Sequence, residues 1–165
     1  MCRAFRHCWR ARPAIPSAPL VCGTHRVGYR RYATQTWATA HRLRETTRLD
    51  DRVATLLGNS DLACVMTLAL QCAGNQHVPL NPLYTARELE FILRDAQPAL
   101  LVADGLALPW PPRWRRLGIR LVLEDEARAW MKPEPGMADT PLDDADAQAP
   151  ALLQYTGGTT GQPKG

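Results

Sequence analysis

From Asp51 to Tyr155 the chain alternates short, continuously apolar runs with amphipathic stretches that begin and end on helix-capping residues, and few folds accommodate such an alternation. Val53-Ala54-Thr55-Leu56-Leu57 reads as a buried strand, and Gly58-Asn59-Ser60 as the turn into a helix capped by Ser60 or Asp61. The apolar positions of that helix, Leu62, Val65, Met66, Ala69 and Cys72 or Ala73, recur every three or four residues to about Cys72, and Gly74 supplies the stop. Thr85-Ala86-Arg87-Glu88 is a capping box, and Leu89, Ile92, Leu93 and Ala96 form one apolar face before Pro98 ends the segment. Strands are expected at residues 99–103, 119–123 and 151–155. Strands without polar alternation, separated by helices, indicate an α/β fold with a parallel sheet flanked by helices on both faces.

The last of these strands, Ala151-Leu152-Leu153-Gln154-Tyr155, runs into Thr156-Gly157-Gly158-Thr159-Thr160-Gly161-Gln162-Pro163-Lys164-Gly165. Glycines let a backbone approach an anion closely, threonine hydroxyls donate hydrogen bonds, and Lys164 adds a mobile positive charge, a combination suited to nucleotide phosphates. The Walker loop is excluded, because Pro163 separates Gly161 from Lys164 and pushes Gln162 away from helical geometry. The dinucleotide fingerprint is excluded too, since Gly157 and Gly158 are adjacent and the acidic residue expected about 20 positions later is not in the sequence. A plain Gly/Thr tail is the alternative, and the preceding apolar strand and the Pro-Lys-Gly ending argue against it.

Tyr155 through Gly165 resemble the signature of the adenylate-forming enzymes, the AMP-dependent synthetases and ligases that include acyl-CoA synthetases: aromatic, Thr, Ser or Gly, Gly, Thr or Ser, Thr, Gly, any residue, Pro, Lys, Gly. The resemblance continues upstream through Ala73-Gly74, Val78-Pro79-Leu80-Asn81-Pro82-Leu83-Tyr84-Thr85, Glu88-Leu89, Asp95-Ala96 and Ala99-Leu100-Leu101-Val102, and so covers about Asp51 to Gly165. Asn75-Gln76-His77 departs from the small or apolar residues usual there, which raises a question of local packing.

The resemblance implies that residues 51–165 are a partial AMP-binding (adenylation) domain, the incomplete N-terminal portion of a larger enzyme with an open sheet edge, poorly stable alone. It implies two-step carboxylate activation with ATP, Mg2+ and coenzyme A: adenylation of a carboxylic acid, then transfer to a thiol. In that chemistry Thr156, Thr159 and Thr160 donate to phosphate oxygens, Gly157, Gly158 and Gly161 permit the approach, and Lys164 offsets charge on the leaving pyrophosphate. Gly157, where many members have serine, and Leu153-Gln154-Tyr155 resemble the fatty acyl-CoA synthetase branch. The expected function is that of a fragment of an acyl-CoA synthetase, inactive by itself; the alternative is a nucleotide-binding or regulatory remnant.

Residues 1–50 have a different chemistry. They hold ten arginines against only Glu45 and Asp50, a net charge of +8 that the remainder offsets with −4. On a helix Arg3, Arg6, His7 and Arg10 lie on one side and Phe5, Cys8 and Trp9 on the other, with Arg12 an exception before Pro13. This disordered or helical basic arm resembles a mitochondrial transit peptide, and Arg30-Arg31-Tyr32-Ala33 resembles a matrix processing site with cleavage after Tyr32. The expected location is mitochondrial, with a cytoplasmic one as the alternative. Trp9, Tyr29, Tyr32 and Trp37 among the arginines also suit RNA, yet no nucleic-acid module accompanies them and no nucleic-acid partner is expected. A disordered arm or a wrongly assigned first exon are further readings, the first suited by Pro13, Pro16 and Pro19. Neither a secretory signal nor an apolar run of the roughly 18 residues needed for a membrane span is found.

Cys2, Cys8, Cys22, Cys64 and Cys72 are odd in number with no C-x-x-C pair, so free thiols are expected rather than a disulfide framework or a zinc site. His7, His25, His41 and His77 lack ligand spacing, and no metal site is expected; His77 reads as a satisfied core or edge residue. Asp143-Asp144-Ala145-Asp146 between Pro141 and Pro150 reads as a solvated linker rather than a cation site. Trp110, Trp114 and Arg113, Arg115, Arg116 among Pro109, Pro111 and Pro112 read as a surface loop, with an interaction patch as the alternative.

Overall fold

The computed structural model describes residues 19–105, 114–135, 142, 146, 148–156 and 164–165. The amphipathic stretch before Pro13, the Trp110 to Arg113 segment and Asp143 to Ala145 lie outside them.

The described chain opens with β1 (Pro19–Cys22) and β2 (His25–Gly28), an antiparallel hairpin. Its two-residue turn begins at Gly23, whose φ of +59° is one that glycine adopts without steric cost. Helix α1 (Tyr29–Thr46) follows directly and buries Thr36, Trp37, Ala38, Thr39, Ala40 and Leu43. Within the stretch read as a basic arm, arginines therefore cover the outer side of a helix whose inner side is core.

Next come β3 (Arg52–Leu56), α2 (Asp61–Ala73), β4 (Gln76–Pro79), α3 (Ala86–Ala96), β5 (Leu100–Ala103), β6 (Arg120–Leu123) and α4 (Glu124–Trp130), with a 3-10 turn at Trp114–Leu117. The caps expected from sequence are present. Ser60 Oγ accepts from the Ala63 amide at 3.2 Å, and Gly74 closes α2 in the left-handed conformation at φ +74°. On α3 the Thr85 amide donates to Glu88 Oε2 at 2.7 Å, and the Glu88 amide returns to Thr85 Oγ1 at 3.3 Å.

β3 to β6 pair in parallel in the order β4-β3-β5-β6. Successive side chains of a strand point to opposite faces, which sorts the core into two layers. Val53, Leu100, Val102 and Val122 join α1, α2 and α4 on one face. Ala54, Leu56, Val78, Leu101 and Ala103 join α3 on the other. Both sheet faces are thus covered, the reason the strands read as unbroken apolar runs.

Residues 151–155 differ from the full strand expected. Only Leu152 bridges, in parallel, to His77: the His77 amide donates to Ala151 O at 3.0 Å and the Leu153 amide to His77 O at 2.8 Å. The next amide of β4 facing that side would be that of Pro79, which has no N–H, so the ladder cannot lengthen.

Asn75-Gln76-His77 is accommodated by giving each side chain a hydrogen-bond partner. Asn75, 2% exposed, donates to Arg48 O at 2.8 Å and accepts from Thr47 Oγ1 at 3.1 Å. Gln76 Oε1 accepts from Arg52 Nε at 2.8 Å, and His77 Nε2 lies 2.8 Å from Thr55 Oγ1.

Candidate functional site

Because the 152–77 bridge is parallel, the chain beyond Tyr155 leaves at the carboxyl ends of the strands, the rim at which open α/β sheets hold ligands. There Thr156 and Lys164 form an antiparallel bridge. The Thr156 amide donates to Lys164 O at 2.9 Å and the Lys164 amide to Thr156 O at 3.0 Å. Thr156 and Lys164, both exposed, are thereby brought together at the mouth of the glycine-rich loop. Gly157, Gly158, Thr159, Thr160 and Gly161 lie outside the described residues.

Tyr155 anchors this mouth. It is 2% exposed and belongs to the α3 layer of the core, and its hydroxyl donates to Asp95 Oδ2 near the end of α3. Burial, then the bond to Asp95 and its charge, push the phenol up to about 12, with Arg52 pulling the other way. The Tyr155 carbonyl accepts from Tyr84 Oη and from Gln154 Nε2, each at 3.3 Å. Behind the ring stands Gly165. A Cβ there would lie 2.8 Å from Tyr155 Cζ and 3.2 Å from Leu153 Cδ1, so only glycine lets the chain return this closely.

His77 holds the other side of the strand that feeds the loop. It is 4% exposed, and burial lowers its pKa from 6.5 to about 4, keeping the ring neutral beside Thr55. The reading of His77 as a satisfied core residue agrees with that environment.

In the sequence, Tyr84 and Asp95 stand out only through the family resemblance, and nothing there marks a role for them at the loop. Their partners lie 71 and 60 residues away, a separation that no local pattern encodes. A second cleft of about 810 Å3, between the start of α1 and the end of α4, is lined by Arg30, Arg31, Arg128 and Lys132 and holds none of the loop residues. Within it Arg128 is bound to Asp61 at 3.0 Å and Glu124 at 2.8 Å. Among the described residues no group of three His, Cys, Asp or Glu side chains could hold a metal ion, and no helix is long and apolar enough to cross a membrane.

The model of the AMP-binding enzyme family matches residues 6–165. Malpinin synthetase of Mortierella alpina is 31% identical over 148 residues, 88% of this chain and 2% of that protein. A long-chain-fatty-acid–CoA ligase of Bacillus subtilis is 31% identical over 150 residues, 70% of this chain and 27% of its own length. The relatives include a probable nonribosomal peptide synthetase as well as this ligase. ATP-bound MatB from Rhodopseudomonas palustris superposes with a TM-score of 0.72 at 25% identity, over 92% of this chain and 32% of that one. The chain thus spans less than a third of the length of each of these proteins.

Proposed function

This chain belongs to the AMP-binding enzyme family, and from that premise we propose that its glycine-rich loop holds the β- and γ-phosphates of ATP while a carboxylic acid is adenylated. The carboxylate oxygen attacks the α-phosphorus, a new O–P bond forms, and the α–β bridging P–O bond breaks to release pyrophosphate. Mg2+ would enter as the counter-ion of ATP. Thr156, Thr159 and Thr160 are the hydroxyl donors, Gly157, Gly158 and Gly161 allow the backbone to close on the phosphates, and Lys164 offsets negative charge on the departing pyrophosphate. The observation that carries this reading is the Thr156–Lys164 bridge, which pairs an exposed threonine with an exposed lysine, backbone to backbone, at the carboxyl rim of the sheet.

The finer reading is that the acid is a fatty acid and the acceptor thiol that of coenzyme A. Similarity to a long-chain-fatty-acid–CoA ligase supports it, as does glycine rather than serine at 157. A second reading, an amino acid as the carboxylate, is favoured by the nonribosomal peptide synthetase among the relatives. The basic sequence before Pro13 and Arg30-Arg31-Tyr32-Ala33 support a mitochondrial address.

The test is made in an enzyme that contains this chain. Lys164→Ala is expected to slow adenylation, measured as acid-dependent exchange of labelled pyrophosphate into ATP, by about 100-fold or more, while thioester formation from supplied acyl-adenylate changes far less. Equal losses in both half-reactions would overturn the role of Lys164. Exchange assays with fatty acids against amino acids separate the two substrate readings.

A further inference from the structure

Tyr155 is the point at which the loop is tied to the rest of the molecule, and its ties come from three parts of the chain. Its hydroxyl is held by Asp95 on α3, its carbonyl by Tyr84 ahead of α3, and its ring by the backbone of Gly165 on the far side of the loop. The adjoining peptide carries the Thr156–Lys164 bridge, so a shift of Tyr155 moves both ends of the loop together. Asp95 is exposed whereas Tyr155 is buried, and the phenol reaches outward through the α3 layer to meet the carboxylate. A tyrosine needed only to fill the core would lose little by becoming phenylalanine. Here its hydroxyl has a charged acceptor, the stronger kind of hydrogen bond and one that fixes direction as well as depth.

We propose that Tyr155, held by Asp95 and Tyr84, is a positioning residue that sets the spacing and aim of Thr156 and Lys164, and that Asp95 acts on nucleotide binding through it. The inference rests on the phosphate-holding role of the loop proposed above. It assigns to the end of α3 a control over the loop that is exerted through Tyr155.

Hydrogen exchange on the intact chain tests the clamp without any ligand. In Asp95→Ala and in Tyr155→Phe the amide protons of Thr156 and Lys164 are expected to exchange about tenfold faster, in line with the loss of one hydrogen bond to a charged group. The amides of Leu101 and Val102 in β5 stay at their original rates. The double variant is expected to exchange no faster than either single one, because both remove the same bond. Asp95→Asn, which keeps an acceptor, restores most of the protection. Unchanged exchange at Thr156 and Lys164 in both single variants overturns the proposal, and so does equal acceleration throughout the sheet, the mark of a merely structural role. Should Tyr155→Phe fail to fold, Asp95→Ala at its exposed helix position decides by the same two amides.

Titration with MgATP of an enzyme that contains this chain completes the test, the two single variants being expected to bind several-fold more weakly than the parent enzyme. If the parent enzyme binds no ATP, the phosphate-holding reading falls, while the exchange rates still judge the clamp.

Discussion

His77 shows how one buried ring can make the strand beside the loop sensitive to acid. Its folded pKa, about 4, lies below its ordinary value of 6.5, so between these limits the unfolded chain binds a proton that the folded chain excludes. The contribution of neutral His77 to stability is therefore complete above pH 6.5 and is lost as pH falls toward 4. We expect the unfolding free energy to fall in that window with an added slope of at most about 1.4 kcal/mol per pH unit, and His77→Gln to remove that increment in urea titrations run at successive pH values. A pH dependence identical in the two proteins would refute it. At this scale the sequence was partly legible. Lys164 and the threonines stand out by type and spacing, and Ser60, Gly74 and the Thr85–Glu88 pair announce their caps because capping is a contact across three or four residues. The Asp95–Tyr155 bond was hidden, since neither residue type nor local spacing distinguishes it from a surface acid and a core aromatic.

Among the elements, α1 has the least obvious standing in the sequence and a clear one in the structure. Charge counts describe the side of a helix that meets water. Here that side carries arginines, while Trp37, Ala40 and Leu43 fill the layer shared with α2. Tyr32 adds a directional tie, its hydroxyl donating to Cys64 O at 2.8 Å, and burial raises that phenol to about 12. Leu43 is fully buried, so Leu43→Ala is expected to destabilise the chain by about 2–5 kcal/mol, read as a lowered denaturation midpoint in urea. A midpoint unchanged within error would mean that α1 does not dock in solution. The β1–β2 hairpin left little trace in the sequence: each strand has four residues and only Val27 among its side chains is buried, too short a run for alternation to register. The short reach of residues 151–155 was equally veiled, because it depends on Pro79 in another strand rather than on the apolar run itself.

For the whole molecule, the proposed mitochondrial address and the packing of α1 meet at Tyr32. Cleavage after Tyr32 would remove β1, β2 and the first turn of α1, together with the bond to Cys64, yet leave Trp37, Ala40 and Leu43 in place. Processing is therefore expected on the unfolded chain during import, before the Tyr32 hydroxyl is buried against α2. Protein recovered from mitochondria should begin at Ala33, by N-terminal sequencing, and the folded chain should resist the same protease. A mature protein that retains Tyr32 would remove the processing-site reading. The α/β class and both sheet faces were readable because strands covered on two sides must be apolar at every position. The order β4-β3-β5-β6 was not, since it is fixed by which helix packs on which face.

The parallel contact at Leu152 also has a mechanical side. Traction applied at Gly165 and directed along the strand would load the two hydrogen bonds of His77 in shear, both at once, rather than peel them apart in turn. The seam that ties the loop to β4 is in that sense built like a lap joint, stiff along its length and weakest to a sideways tug.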